Sequence, residues 1–462
     1  SMYTSEDGGK SFRTDLVNRI HGDFHAMWIN PANPDHLLLG SDGGVHLSFD
    51  RGRTWEFVNT MPLGQFYEIS FDMEKPYNIY GGLQDNGIWR GPSRTLYQQG
   101  IANEDWFLLG GGDGTYVQAD PTDASTVYFA SQYGNLQRMN LETFEVKIIQ
   151  PKPQEGEEAY RFDWNSPLLI SPHNPQTIYY GGNRLFKSTD RGDTWSATHD
   201  LTTDPDRDSM PIMGVVLDET GLSVHDGTAT FGELTTCTES PLREGLLYMG
   251  SDDGNLQVSL DGGTSWKNVS DAIPGLPMGT YVSRVVASGF AEGRVYATFD
   301  GHRSDDFSVY IYVSEDFGES WKSISSNVQA GHTVSVIREH PQKENLLFVG
   351  TEFGAYVSFD RGSEWHRFAG HLPTVPVDDI AVHPRDNDLI LWTHGRSVYV
   401  LDDITPLVQM SASVLSSDLH IFVVRPTTIY RRHRHRANTG HQTFIAPNPP
   451  YGAMIQYYLK SE

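Results

Sequence analysis

The chain carries one cysteine, Cys237, among 462 residues. That excludes an intrachain disulfide and a cysteine-built zinc cluster. Positive charge is scarce: 34 Lys and Arg stand against 59 Asp and Glu, for a net charge of −25. Proteins that bind nucleic acid or anionic membranes draw affinity from basic patches, so this balance argues against both. No apolar run approaches the roughly 18 residues of a membrane-spanning helix. No long segment shows helical periodicity. The opening Ser1-Met2-Tyr3 carries no signal peptide and falls inside a repeat, so the natural N-terminus is expected elsewhere. Walker loops, dinucleotide fingerprints, H-E-x-x-H helices and G-x-S-x-G elbows are all missing. What remains is ample for a large core: 38% hydrophobic residues and 45 glycines. Roughly 150 residues per domain would suggest about three domains, a prior that large all-β folds break.

An eight-residue pattern, S-x-D-x-G-x-[ST]-[WF], recurs. It begins at Ser5 and again at Ser48, Ser188, Ser259, Ser314 and Ser358, the last with Glu364 in place of the hydroxyl residue. The pattern describes a turn. Its aspartate accepts from loop N–H groups, and its glycine supplies positive φ. The closing aromatic starts the next strand. Trp55, Trp195, Trp266, Trp321 and Trp365 are therefore expected to be largely buried. The chemistry reads as structural, at the outer edge of each repeat.

Each repeat also contains a Pro- or Asp-rich turn such as Ser171-Pro172-His173-Asn174-Pro175. An apolar strand ending in glycine follows, such as Leu247-Tyr248-Met249-Gly250, and then an alternating strand. Four short strands every 40–50 residues or so mark a β-propeller blade. The expected fold is all-β, an Asp-box β-propeller of about seven or eight four-stranded blades over 1–404. Eight units open near residues 23, 65, 113, 163, 230, 281, 333 and 377. The last lacks a clear box and outer strand, so closure of the ring by residues 3–14 is attractive. A linker, 405–440, carries the basic run Arg431-Arg432-His433-Arg434-His435-Arg436, read as a solvated segment lying on the acidic propeller, with a heparin-like ligand as the alternative. Residues 441–462 read as the first strand of an incomplete β-sandwich module.

The boxes are those of the Asp-box, or bacterial neuraminidase, repeat. The chain resembles the exported bacterial propellers described as sortilin-like or "glycosyl hydrolase". The resemblance is carried by His21-Gly22-Asp23-Phe24-His25-Ala26-Met27-Trp28, Gly81-Gly82-Leu83-Gln84-Asp85-Asn86-Gly87, Gly111-Gly112-Asp113-Gly114, Gly182-Asn183-Arg184-Leu185-Phe186 and Thr393-His394-Gly395-Arg396. It implies an extracytoplasmic propeller recognising a polysaccharide, protein or peptide, with an Ig-like module after Asn448-Pro449-Pro450-Tyr451-Gly452. It also implies an alternative, a glycoside hydrolase of the xyloglucanase type. There the cleft and its acid pair lie between tandem propellers, and a second propeller would belong to the full-length protein.

Inner strands of a propeller deliver their first residues to one face of the central channel. Here these are His21, Asp23, His25, Gln65, Tyr67, Asp113, Arg161, Asp163, Arg284, His332 and Asp378, joined by His394 and Arg396 from the last motif. Mixed charges on one rim suit a sugar or peptide. They equally suit hydrogen bonds that seal the channel. Asp23 and Asp113 are the candidate acid–base pair, and with Arg284 they are expected to open onto a shared cavity. His21, Asp23 and His25 alternate along one strand face and could ligate a divalent metal; no other cofactor is implied. Arg161, Arg284 and Arg338 could form the arginine triad of a sialidase, but the accompanying Arg-Ile-Pro motif is missing.

Overall fold

The computed structural model describes residues 2–460, apart from 15–16, 18–19, 204–208, 210, 213–214, 217–229, 369, 434–435 and 437–439. Most of the insertion near 199–228, together with Arg434 and His435 of the basic run, lies outside the described residues. The fold is nearly all β. Its second strands are continuous apolar runs because both faces of each sheet are covered by neighbours: Ile178–Gly181, Leu247–Ser251 and Leu389–Thr393 are buried throughout.

Among the described residues seven antiparallel sheets form a ring, numbered here in chain order. Blade 1 uses Phe66–Phe71, Asn78–Leu83, Gly87–Pro92 and Phe107–Gly110. Blade 2 starts at Gly114–Asp120, blade 3 at Leu168–Ile170 and blade 4 at Leu234–Glu239. Blade 5 starts at Tyr281–Ala287, blade 6 at Val334–His340 and blade 7 at Val377–Val382. Blades 1 to 6 have four strands each and blade 7 has three. Inner strands of successive blades pack together, and blade 7 packs on blade 1. At that junction Phe66 stacks on Trp392 at 4.0 Å, and the Tyr77 hydroxyl donates to Asp388 at 3.0 Å.

Two expectations are corrected. The unit opening near residue 23 forms a complete sheet (strands Phe24–Ile29, Leu37–Ser41, Gly44–Ser48 and Glu56–Phe57) but stands outside the ring. Ring closure between blades 7 and 1 leaves it no place, and its first strand stays open, with Met27, Trp28 and Ile29 at 44%, 45% and 54% exposure. Residues 3–14 do not complete blade 7 either: Thr4 pairs with Arg13 across their own box turn. A short helix, Thr405–Gln409, follows blade 7; it contacts the second strand of blade 6, and its Leu407 and Val408 pack against the apolar cluster that blades 6 and 7 share. Beyond it, Ile445–Ala446 pairs with Ile101–Ala102 of the ring, and Tyr457–Leu459 pairs with Leu419–Ile421. Arg436 ends the basic run in an ion pair with Asp105 at 2.5 Å.

The boxes are turns of the expected kind. In the box at 188–195, Gly192 N–H donates to Ser188 Oγ and Thr194 N–H to Asp190 Oδ1, both at 2.8 Å. The same bonds recur in the other boxes, including the backbone bond from Glu364 to Asp360. The tryptophans divide. Trp321 and Trp365 are buried, whereas Trp55, Trp195 and Trp266 are half-buried. Each tryptophan directly precedes a two-residue outer strand, so the box fixes its place in the turn, while its burial depends on what the rest of the sheet and its neighbours pack against it.

Candidate functional site

A repeated backbone bond builds one rim of the channel. In six of the seven blades a residue ahead of the inner strand accepts from a residue just after the second strand; in blade 3 the acceptor, Arg161, lies seven residues upstream of Leu168. Gln84 N–H donates to Gln65 O, Gln132 to Asp113, Asn183 to Arg161, Asp252 to Glu233, Glu352 to Thr333 and His394 to Pro376. The N-terminal sheet has the same bond, from Asp42 to Asp23. This pairing brings the expected strand-start residues beside turn residues that the sequence reading passed over: Asp85, Asp252 and Glu352. The signal for them was the recurring polar residue before a turn glycine, as in Ser41-Asp42-Gly43, Asp85-Asn86-Gly87, Asp252-Asp253-Gly254 and Glu352-Phe353-Gly354.

The expected residues meet different fates. Tyr67 is half-buried on the rim, and its hydroxyl donates to Gln84 at 2.5 Å. It lies beside the Trp164 indole and near Asp113, Asp163 and Asp378; burial raises its pKa, and these acids add to the rise. His394 bonds Gln65 and, through Nδ1, Asp378 at 2.9 Å. Burial pulls His394 down, but the Asp378 carboxylate holds it above the usual histidine value. Arg396 is exposed. Arg161 is a staple between blades 3 and 4, donating to Asp200 at 3.1 Å and Gly232 O at 3.3 Å. His332 is buried 3.3 Å from the Tyr356 hydroxyl. His25 pairs with Asp42 at 2.6 Å, apart from His21, which sits between Asp23 and Asp85. Asp113 accepts the Asp85 N–H at 3.3 Å.

Arg284 is buried and does not open onto the cavity it was expected to share with Asp23 and Asp113. It is buried on the axis, donating to Glu68 at 2.6 and 3.0 Å and to the Tyr116 hydroxyl at 3.3 Å. Asp379 lies 3.7 Å away and also receives Arg338 at 2.7 Å. Bulges put these groups there: register shifts interrupt the inner strands at Phe66/Ile69, Gly114/Val117, Val282/Arg284 and Val377/Asp379, and a bulge re-aims side chains. Burial opposes charge on Asp379, yet Arg338 and Arg284 hold its pKa below the usual range. Burial raises Glu68 while Arg284 opposes the rise. The network plugs the channel, so Arg284 and Arg338 are committed to carboxylates of the protein itself.

Above the plug the rim is acidic. Burial raises Asp163, opposed by Arg303, and raises Glu352, aided by Asp378. Arg303 also lies 5.0 Å over the Tyr281 ring. Asp252 is pushed up to about 9, first by burial and then by Asp163 and Glu233. The native state therefore keeps this proton to about pH 9, while the unfolded chain releases it near pH 4 or so. Stability from this group is complete below the unfolded pKa and is lost as pH rises toward the folded one. Asp252→Asn should match the parent melting temperature near pH 4 and exceed it by several degrees above pH 8. Superimposable pH profiles in calorimetry would refute this assignment.

Comparison with known proteins matches residues 309–417 to the family described as "Sortilin-Vps10: Sortilin, neurotensin receptor 3". The chain is 28% identical over 369 residues to xyloglucanase Xgh74A of Acetivibrio thermocellus, covering 63% of this chain and 40% of that protein. It is 27% identical over 106 residues to vacuolar protein sorting/targeting protein 10 of Paracoccidioides brasiliensis, covering 20% of this chain and 7% of that one. A solved GH74 xyloglucanase from Xanthomonas campestris superposes with a TM-score of 0.29 at 16% identity, covering 81% of this chain and 64% of that one. The chain spans less than half the length of the Acetivibrio thermocellus xyloglucanase and of the Paracoccidioides brasiliensis sorting protein. Together these matches fit the sortilin-like, Asp-box repeat propeller family. Among the described residues no helix is long and apolar enough to cross a membrane.

Proposed function

We propose that this chain is an extracytoplasmic ligand-binding propeller that takes a glycan or peptide on the acidic rim. One observation carries the reading. The rim combines Tyr67, Trp164 and Tyr281 with Asp163, Glu352, Asp378 and Arg303, above a channel closed by Arg284 and Glu68. Aromatic faces stack on sugars or side chains, while the acids and Arg303 offer directional hydrogen bonds. The likeness to sortilin-type and xyloglucanase propellers supports the same reading. A glycan array and a peptide library probed with the full-length protein should return a saturable ligand. Trp164→Ala should weaken its binding at least tenfold with little change in melting temperature. Unchanged affinity would remove the rim from consideration.

A second reading, a glycoside hydrolase of the xyloglucanase type, rests on the junction of Asp23, Asp85 and Asp113. Burial and the Asp113 charge raise the pKa of Asp85, opposed by His21. Acid–base cleavage needs one carboxyl group that holds its proton, and Asp85 is raised in that direction. In this reading the open faces of the N-terminal sheet are covered by a second propeller of the full-length protein. A reducing-sugar assay on xyloglucan decides it: turnover lost in Asp23→Asn and Asp113→Asn supports the enzyme, and no product from the full-length parent ends it.

A further inference from the structure

The N-terminal sheet and the ring meet at three potential ligands. His21 and Asp23 precede the first strand of the sheet, and Asp85 sits in the turn between the second and third strands of blade 1. One donor atom from each residue lies within 4.8 Å of the other two. His21 Nε2 is 3.1 Å from Asp85 Oδ1, and His21 Nδ1 is 3.6 Å from Asp23 Oδ2. Ligand bonds of about 2.0–2.1 Å place neighbouring donors about 2.9 Å apart in an octahedron and about 3.3 Å apart in a tetrahedron. The His21–Asp85 separation falls between these, so it already matches one edge of a coordination shell. A histidine gives one nitrogen to an ion, so Nε2 is the donor here; Asp23, with 69% of its side chain exposed, has the freedom to turn its carboxylate from the Nδ1 side toward the same point.

The surroundings hold these donors in place. Asp85 adopts φ of +50°, an uncommon conformation for a residue with a Cβ. Its N–H is held by Asp113, and the Trp89 indole ties down Asn86 O at 2.7 Å. The His21 side chain lies against the backbone of Gly43, where a Cβ would come within 2.6 Å of it. Such outer contacts orient metal ligands.

We propose that His21, Asp23 and Asp85 bind a first-row divalent transition cation, with Zn²⁺ and Mn²⁺ as the matching ions. One imidazole nitrogen with two carboxylates favours these over Ca²⁺, which takes oxygen ligands. Three protein ligands leave coordination positions for water. The ion cross-links the N-terminal sheet to blade 1, so it fixes the angle between a sheet outside the ring and the ring itself. The site borders the acidic rim but does not depend on what the rim binds.

Calorimetric titration of the metal-stripped chain with Zn²⁺, and Mn²⁺ titration followed by electron paramagnetic resonance, test the site. One ion per chain is expected, with affinity lowered at least tenfold in His21→Gln and in Asp85→Asn. Asp23→Asn, at an exposed position that leaves folding intact, should weaken binding as well, while the surface control His371→Ala should not. Zn²⁺ should raise the melting temperature of the parent and not that of His21→Gln. A millimolar excess of Ca²⁺ should leave Mn²⁺ binding unchanged. No saturable binding up to about 1 mM, or equal binding by the parent and all three ligand variants, overturns the proposal. Rim-ligand affinity in the same variants separates this result from the fate of the binding function.

Discussion

Arg284→Met is expected to destabilise the fold by about 3–5 kcal/mol, because it leaves buried carboxylates without their counter-ion. Glu68 and Asp379 are 6% and 0% exposed, and Arg284 faces both. Asp379 keeps Arg338, but Glu68 loses two charge-assisted bonds at a buried position. Three of the residues that meet here come from blades 1, 5 and 7, so the variant loosens the ring across its full width. Urea unfolding measures the effect. The pair itself need not stabilise relative to an apolar substitute, and Arg284→Met combined with Glu68→Leu should recover most of the loss. A single variant within about 1 kcal/mol of the parent, the range of ordinary surface changes, would show the axis to be open to water.

Trp365→Ala should cost about 3–5 kcal/mol, the range for a large aromatic removed from a packed site. Trp365 is 2% exposed and belongs to a cluster with Ile324, Val328 and Tyr356, and its indole N–H donates to Ile324 O at 2.6 Å. Trp55 occupies the same position in its box but is half-buried in a sheet outside the ring. Its replacement should cost much less, on the order of 1 kcal/mol. The informative measurement is the order of the two losses in parallel denaturant unfolding. Equal losses would mean that the box alone sets the contribution of its tryptophan, with no share from blade packing.

Box turns could be read in advance because they are local. Ser188, Asp190, Gly192 and Thr194 complete their hydrogen bonds within seven residues, so spacing alone specifies the geometry. The strand-start positions were also legible, since an inner strand precedes each glycine-ended apolar strand, with or without a box. Their partners were not. Asp85 meets His21 across 64 residues, and Glu68 meets Arg284 across 216. No periodicity within a repeat encodes which residues face each other across an axis. His25 shows the limit in the other direction: its alternation with His21 and Asp23 suggested one shared metal face, but a register shift between Phe24 and Ala26 accompanies its pairing with Asp42.

By itself, the sequence determined that this protein is built from repeated, mostly four-stranded sheets, several of them closed by an Asp-box turn, and that its net charge is strongly negative. Those properties follow from local hydrogen bonding, strand alternation and composition, all of which act over tens of residues or less. Only the tertiary structure decided that seven sheets close the ring and that the eighth stands beside it, because closure depends on how Phe66 and Trp392 pack. It likewise decided that Arg284 plugs the channel instead of lining a site. A buried guanidinium and an exposed one look alike in a sequence. What separates them is whether a carboxylate from another blade reaches it before water does.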